Sequence, residues 1–328
     1  MDTKDSILKQ LTDMKGKFVS GEVLSDALGI TRTAVWKHIK KLRDEGYEIQ
    51  SVPKRGYRLD NSPDLFDRSA LVSSLHTKTF GKEIIFLNET DSTNNELKRL
   101  AAGGAPEGTV VIAQRQLSGR GRRGRVWSAD EGKAITMSIL LRPDIAPADI
   151  QAITLAASSA VARAIEPFTS IKPEIKWPND ILLSGKKVCG ILTEMTAEPD
   201  RILSIIAGIG LNVYQKEEDF PDELKETATS IALNSVGPVS RSALASRILE
   251  EFEVLYLDFI QRKSTAKFLD IWRSFSGTIG CDIIVYQGEK NWQAKALDVL
   301  DDGCLLVETA DGSRKAIASG EISIRKVK

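Results

Sequence analysis

Gln116-Leu117-Ser118-Gly119-Arg120-Gly121-Arg122-Arg123-Gly124-Arg125-Val126-Trp127 decides how the rest of the chain reads. Three glycines make this run costly to order, and its four arginines repel one another unless an anion sits among them. The composition predicts a mobile loop that orders around a phosphate-bearing ligand, not a packed segment. The string Gly119-x-Gly121-x-x-Gly124 also matches the dinucleotide fingerprint. That motif needs a strand before it, a helix directly after it and an acidic residue about 20 positions on. The strand Thr109-Val110-Val111-Ile112-Ala113 precedes it, but Arg125 to Lys133 shows no helical period, so the Rossmann reading is rejected.

The chain has 328 residues, which implies two or three domains. Its 45 basic and 45 acidic residues balance, so any nucleic-acid contact must come from a local patch. Cys189, Cys281 and Cys304 are far apart, odd in number and in apolar settings. They read as buried free thiols and point to a reducing cytoplasm. With only two histidines, zinc ligation of ordinary spacing is not expected. Met1 to Ser6 has no apolar core and no eighteen-residue apolar run exists, so neither a signal peptide nor a membrane span is expected.

The first 60 residues have helix-turn-helix spacing. A helix over 5–15 buries Ile7, Leu8 and Leu11. A second starts at a Ser20 cap, turns Val23, Leu24, Ala27 and Leu28 inward, and stops at Gly29. Thr31 or Thr33 caps a third, which buries Ala34, Val35, Ile39 and Leu42 and ends at Gly46. This third helix carries Arg32, Lys37, His38, Lys40, Lys41 and Arg43, with Thr31, Thr33 and Trp36 near its start. Strands at 47–52 and 56–59 flank Pro53-Lys54-Arg55 as a basic wing. A winged helix that binds DNA is expected over 1–60, through Ser20, Thr31, Arg32, Thr33, Trp36, Lys37, Lys40, Lys54 and Arg55. The plainer reading of the same pattern is a protein-interaction module.

Asp60 to Asp64 is a linker. A central domain follows over 65–276. A short helix is expected at 67–76, strands at 83–87, 109–113 and 134–141, and long helices at 147–165, 240–262 and 264–275. Asp91-Ser92-Thr93-Asn94-Asn95 opens a helix with polar side chains. These either meet a polar head group or simply cap the helix. Ile175 to Leu183 is a strand interrupted by Pro178, which marks an edge or a bulge and sets Lys176, Asn179 and Asp180 at the break. A turn at Ser184-Gly185-Lys186 makes a hairpin, and Arg201 to Val213 is a strand with Gly208 and Gly210 permitting close approach. From 277 to 328, short strands alternate with Gly288, Asp302-Gly303 and Asp311-Gly312 turns, the pattern of an SH3-like barrel. The fold class is therefore α+β and multidomain, with a mixed-sheet α/β domain at the centre.

The arginine loop together with Lys176-Trp177-Pro178-Asn179-Asp180 resembles the biotin–protein ligases. So do Asp91-Ser92-Thr93-Asn94, Lys187-x-x-Gly190-Ile191-Leu192 and Gly208-Ile209-Gly210-Leu211-Asn212. With the winged helix and the barrel, the order of parts resembles the bifunctional bacterial ligases that also repress biotin genes. The resemblance implies a central domain of class II synthetase type and a two-step reaction. Biotin and ATP, with Mg²⁺, give biotinyl-5′-AMP, and a lysine of a biotin carboxyl carrier protein then displaces AMP. By resemblance, Ser92, Thr93, Asn94 and Gln116 bind the biotin head group. Arg120, Gly121 and Arg122 close over carboxylate and phosphate, and Lys187 sits at their junction. Lys187, Arg122 and Arg120 are thus the expected catalytic groups. Trp127, Lys176, Asn179 and Asn212 meet the adenylate, and Asp180 is an expected Mg²⁺ ligand. The resemblance further implies a homodimer on operator DNA when adenylate is bound. Two other readings remain: a biotin-sensing transcription factor without ligase activity, and a lipoate-type acyl ligase. The intact lysines oppose the first, and the glycine–arginine loop with its tryptophan opposes the second.

Overall fold

The computed structural model describes residues 3–14, 16–45, 47–61, 66–127, 132–198, 201–237, 239–319 and 322–326. Gly46, expected to stop the third helix, and most of the expected linker, Ser62 to Asp64, lie outside these residues. The chain forms two compact units, Met1–His76 with Ser240–Arg247, and Thr77–Val239 with Ile248–Lys328.

The first unit contains α1 (Thr3–Asp13), α2 (Gly21–Leu28), α3 (Arg32–Asp44), β1 (Glu48–Val52), β2 (Gly56–Asn61) and α4 (Arg68–Ser74). Ile7, Leu8, Leu11, Leu24, Val35, Ile39, Leu42 and Leu59 make its core. The Ser20 hydroxyl accepts the Val23 N–H and so caps α2. Gly29 ends α2 in the left-handed region, at φ 62°, where a side chain would be strained. Thr31, not Thr33, caps α3 by accepting the Ala34 N–H. The expected inward face of α2 is narrower than its sequence suggests. Leu24 and Leu28 pack inward, whereas Val23 and Ala27, sharing the next face round, are exposed. β1 and β2 form an antiparallel wing. α4 is held to α1 through Asp5, which accepts from Arg68 and Ser69.

The second unit opens with β3 (Ile84–Thr90), α5 (Thr93–Ala102), β4 (Val110–Gln116), β5 (Ala134–Leu141) and α6 (Ile150–Ile165). It continues through β6 (Glu174–Lys176), β7 (Asp180–Leu183), β8 (Lys186–Glu198), β9 (Arg201–Asn212), α7 (Arg241–Arg262, whose first residues belong to the first unit) and α8 (Ala266–Ser274). Seven strands form one sheet in the order β3-β4-β5-β9-β8-β7-β6. Only the β3–β4 pair is parallel. β5 is buried along its whole length, as a central strand with both faces covered should be. α5 sets Leu97 against Val111, Leu140 and Ile206 on one face. α6 covers the other, where Thr154 meets Thr193 at 2.6 Å. Strand alternation then fixes the side chains of β8: Thr193 faces α6, and Glu194, which meets Asn94, faces α5. β6, beside Pro178, is the edge strand, and the register shifts between Ile181 and Leu182, so the proline marks an edge next to a bulge.

The chain ends in β10 (Asp282–Gln287), β11 (Lys290–Val299), β12 (Leu305–Thr309), β13 (Arg314–Ile317) and β14 (Ile322–Lys326). They form a five-stranded antiparallel sheet in the order β13-β12-β11-β10-β14, the kind of sheet from which SH3-like barrels are built. The cysteines are free, but only Cys189 is fully buried, while Cys281 and Cys304 are half-buried. That corrects the expectation of three buried thiols. Among the described residues, no helix is long and apolar enough to cross a membrane.

Candidate active site and DNA-facing surface

Three strands build the floor of a cleft of about 890 Å³. Register places Thr136 opposite Gly210, Ser138 opposite Gly208, and Gly190 opposite Gly210. On this α5 side the sheet is stripped of bulk, and each glycine lies beneath a side chain named by the sequence. A Cβ on Gly208 would lie 2.2 Å from Asn94 Oδ1, and one on Gly210 2.5 Å from the Trp127 ring. One on Gly190 would lie 3.0 Å from Lys187 Nζ. The glycines therefore serve close approach, as the strand pattern suggests.

At one end of the cleft stand Ser92, Thr93 and Asn94, all buried. Ser92 is the N-cap residue of α5, yet its side chain makes no cap bond. Asp91 is engaged with Asn95 and Arg99. Arg99, and after it Asn95, hold the Asp91 carboxyl well below the usual carboxylate range. Simple capping therefore does not account for this cluster. Gln116 Oε1 accepts the Thr93 backbone N–H at 2.8 Å and lies 3.1 Å from the Thr93 hydroxyl, joining the head of α5 to the end of β4.

The arginine loop folds back as a small hairpin. The Trp127 N–H donates to Gly119 O at 2.9 Å, and the Gly121 N–H to Arg125 O at 2.7 Å. The described residues after the last glycine, Arg125 to Trp127, are not helical, in line with rejecting the Rossmann motif. Arg122 turns inward. Its Nη1 donates to Asn179 Oδ1 at 3.3 Å, and its Nη2 to the carbonyls of Ser319 and, at 3.4 Å, Ile322 in the C-terminal sheet. Burial lowers the pKa of its guanidinium, with Asp180 pulling the other way. Arg120, Arg123 and Arg125 stay exposed. Among the described residues, the Trp127 indole nitrogen is buried without a hydrogen-bond partner.

Lys187 pairs with Asp180 at 2.6 Å, and its ammonium stands 5.9 Å from the Trp127 ring centroid. Its backbone is fastened on both sides, the N–H to Thr227 O and the carbonyl to the Thr229 N–H. Asn179 donates to Ile191 O, which leaves its oxygen for Arg122. Asn212 also lines the cleft, but both ends of its amide are engaged, by Thr229 O and Gln215 Nε2. Lys176 lines the cleft too. Trp177 lies in the core, its indole donating to Gly303 O.

Several lining residues carried no expectation from sequence. Phe220, Leu224 and Thr227 form one wall. They sit in an acidic turn-rich stretch with no periodicity, so nothing marked them. Ser138 and Glu194, which do not line the cleft but bond to Asn94, were also missed. Ser138 had a signal, since it alternates with apolar neighbours in Thr136-Met137-Ser138-Ile139 on a wholly buried strand.

In the first unit, Thr31, Arg32, Thr33, Trp36, Lys37 and Lys40 of α3, with Lys54 and Arg55 of the wing, are all exposed. Arg32 pairs with Glu22, and Arg55 lies over the Phe18 ring at 4.2 Å. Ser20 is half-buried and its oxygen is used in capping, which leaves it least available.

A winged helix, a mixed-sheet domain with a cationic, glycine-floored cleft, and a small antiparallel sheet define a ligase-type enzyme joined to a DNA-binding module. The family described as "Biotin/lipoate A/B protein ligase family" matches residues 86–212, an "HTH domain" 3–58, and the "Biotin protein ligase C terminal domain" 278–325. The bifunctional ligase/repressor BirA of Bacillus spizizenii is 43% identical over 321 residues, 98% of each chain. That of Escherichia coli K12 is 30% identical over 94% of each. The solved biotin protein ligase from Aquifex aeolicus in complex with biotin and ATP is 32% identical, with a TM-score of 0.64, covering 75% of this chain and 100% of that one. The chain belongs to the bifunctional ligase/repressor BirA family of biotin protein ligases.

Proposed function

We propose that this protein is an ATP-dependent biotin–protein ligase that also represses transcription when its adenylate is bound. The observation that carries the ligase reading is the meeting of Lys187 and Arg122 with the Ser92-Thr93-Asn94-Gln116 cluster in one cleft. Lys187 and Arg122 are half-buried cations at the point where the biotin carboxylate approaches the α-phosphate, and they offset the charge that concentrates there. The carboxylate oxygen forms a C–O–P mixed anhydride and pyrophosphate leaves. A carrier-protein lysine amine then attacks the acyl carbon, forming an amide; AMP leaves and one proton is released. The acyl group is already activated, so no enzyme nucleophile is required. Arg120 and Gly121 line the mouth, and Trp127 with Lys176, Asn179 and Asn212 takes the adenosine side.

Among the described residues, no group of three or more His, Cys, Asp or Glu could hold a metal by itself. Asp180, now paired with Lys187, would be the protein group to hold a Mg²⁺ that arrives with the nucleotide. Such an ion would supply further neutralisation of phosphate charge.

The proposed divisions are 1–60 for DNA, 65–276 for catalysis and 277–328 for the C-terminal domain. A dimer presents two copies of α3 to operator half-sites about one DNA turn apart, or a multiple of that. Adenylate favours the dimer and so raises DNA affinity by linkage. Balanced charge and free thiols suit a cytoplasmic protein. The test is to incubate the full chain with ATP, Mg²⁺, biotin and a carrier domain, and to measure the mass of the carrier. We expect one biotin on one lysine, and Lys187→Ala to slow its formation by about a thousandfold or more. No transfer by the wild type sinks the enzyme reading. Operator binding that ignores biotin and ATP sinks the corepressor reading.

A further inference from the structure

Val19 bridges to the wing beside β2. Its N–H donates to Tyr57 O and the Tyr57 N–H to Val19 O, both at 2.8 Å. Gly56 permits this approach, since a Cβ on it would overlap Val19 O. The antiparallel register then puts Phe18 opposite Arg58. Regular strand alternation would turn Arg55 and Arg58 to opposite faces, but Gly56, between them, lies at φ 98° and breaks it. Both guanidiniums come to one ring: Arg55 stands 4.2 Å and Arg58 4.8 Å from the Phe18 centroid.

The two arginines differ in what else they meet. Arg58 pairs with Asp60 at 2.5 Å, whereas Arg55, at the exposed tip, has no ion pair among the described residues. Phe18 is half-buried and takes no part in the core of the first unit. A guanidinium stacked on a ring uses its face and keeps the N–H groups of its edge for an anion. Lys54, beside Arg55, lies at φ 66° in a turn closed by the Arg55 N–H on Val52 O. Glycine or asparagine is usual at that place in such a turn, so a cation stands there against backbone strain.

We infer that Phe18 is a positioning residue for DNA binding: its ring holds the Arg55 guanidinium at the wing tip so that the guanidinium edge meets a phosphate of the duplex. This rests on the DNA reading of the winged helix. An arginine that is already ordered loses less freedom on binding than a free one. Arg58 is held by Asp60 as well, so it stays in place without the ring. The contact is to the DNA backbone, so it strengthens binding to any duplex sequence alike.

The experiment is binding of the full chain, with biotin, ATP and Mg²⁺ present, to a duplex of random sequence, read by fluorescence anisotropy at several salt concentrations. Wild type is set against Phe18→Leu, Phe18→Tyr, Arg55→Ala, and Phe18→Leu combined with Arg55→Ala. A thermal melt accompanies each. A ring–cation contact at an exposed site corresponds to about threefold in affinity for each wing, and so to about tenfold for a dimer that uses both. We expect that loss from Phe18→Leu, and affinity within about twofold of wild type from Phe18→Tyr, which keeps the ring. Arg55→Ala should lose at least as much, and should lower the slope of log affinity against log salt by about 1 per wing. In the Arg55→Ala background, Phe18→Leu should cost less than about twofold further. An equal loss in both backgrounds overturns the inference, because it would mean that Phe18 acts through something other than Arg55. So does full affinity in a folded Phe18→Leu. Should Phe18→Leu not fold, Phe18→Met enters the same cycle and decides by the same criteria. A wild type that binds no duplex at any salt concentration overturns the DNA reading, and this inference falls with it.

Discussion

Lys187 and Arg122 in the cleft and Arg32, Lys37 and Lys40 on α3 are cations in opposite surroundings. Each cleft cation is met by specific protein groups: Asp180 for Lys187, and Asn179 with two C-terminal carbonyls for Arg122. Lys187 stands beside backbone made thin by glycine, at Gly190. The α3 cations stand in water, with one exposed pair between Arg32 and Glu22. The first arrangement holds half-buried charge fixed by protein partners, which suits a small anion reacting in one geometry. The second keeps its charge solvated, which suits a phosphate backbone whose counterions are released on binding. Burial distinguishes the two functions, whereas a count of basic residues does not.

The sharpest way to break this comparison is Gly210→Ala. Its Cβ would fall 2.5 Å from the Trp127 ring, between the strand and the cleft's aromatic wall. Adenylate formation should fall by about a hundredfold or more, since misplacement by about 1 Å costs that much. DNA binding in the absence of biotin should stay within about twofold, because α3 is untouched. Pyrophosphate release and an electrophoretic shift measure the two separately. Near-normal adenylation would mean that the glycine floor does not set the position of Trp127.

Arg122→Ala comes next. It removes the bonds from the loop to Asn179 and to the carbonyls of Ser319 and Ile322. The hairpin bonds within the loop remain. The loop should persist but close poorly, and the mixed anhydride should be released or hydrolysed about tenfold faster or more, as water enters. Chase of labelled adenylate from the enzyme measures this. Wild-type retention would show that closure depends on other contacts.

The difference between the regions also explains what the sequence could reveal. In the winged helix, function lies on exposed side chains at helical spacing, and Ser20, Gly29 and Thr31 announce the helix boundaries by their own chemistry. There the outline was legible, apart from the outward turn of Val23 and Ala27. In the cleft, the motif residues Lys187, Arg122, Asn179 and Trp127 were legible because their spacing resembles a family. Their supports were not. Glu194 lies 100 residues from Asn94, and Ser319 lies 197 from Arg122, so only the folded sheet brings them together. Phe220 and Leu224 are apolar residues in a charged turn, and no local period distinguishes a cleft wall from surface there.

Lys37→Ala probes the other side of the comparison with a smaller effect. Removing one exposed phosphate-binding charge should weaken DNA binding several-fold across sequences, and should reduce the slope of log affinity against log salt by about 1. Biotinylation rate should not change. Titrating operator binding at several salt concentrations measures it. An unchanged slope would place Lys37 off the DNA, and lost biotinylation would break the separation of the two cationic surfaces.

The smallest expected effect concerns pH. The residues that line the cleft include neither of the chain's two histidines, His38 and His76. The groups facing the head-group cluster are Glu194, Lys98 and, more distantly, Arg120. Burial pushes the Glu194 carboxyl up, but Lys98 and Asn94 bring it below its ordinary value. A carboxyl lowered in this way contributes fully above its unfolded pKa, about 4.3, and the contribution is lost only as pH falls through the lower folded value. Biotin affinity should therefore change by less than about twofold between pH 8 and about 5.5, where a glutamate of that unfolded pKa is still mostly ionised. Calorimetry across that range checks it. A tenfold loss above pH 5.5 would mean that Glu194 takes up a proton there and that Lys98 and Asn94 do not keep it ionised.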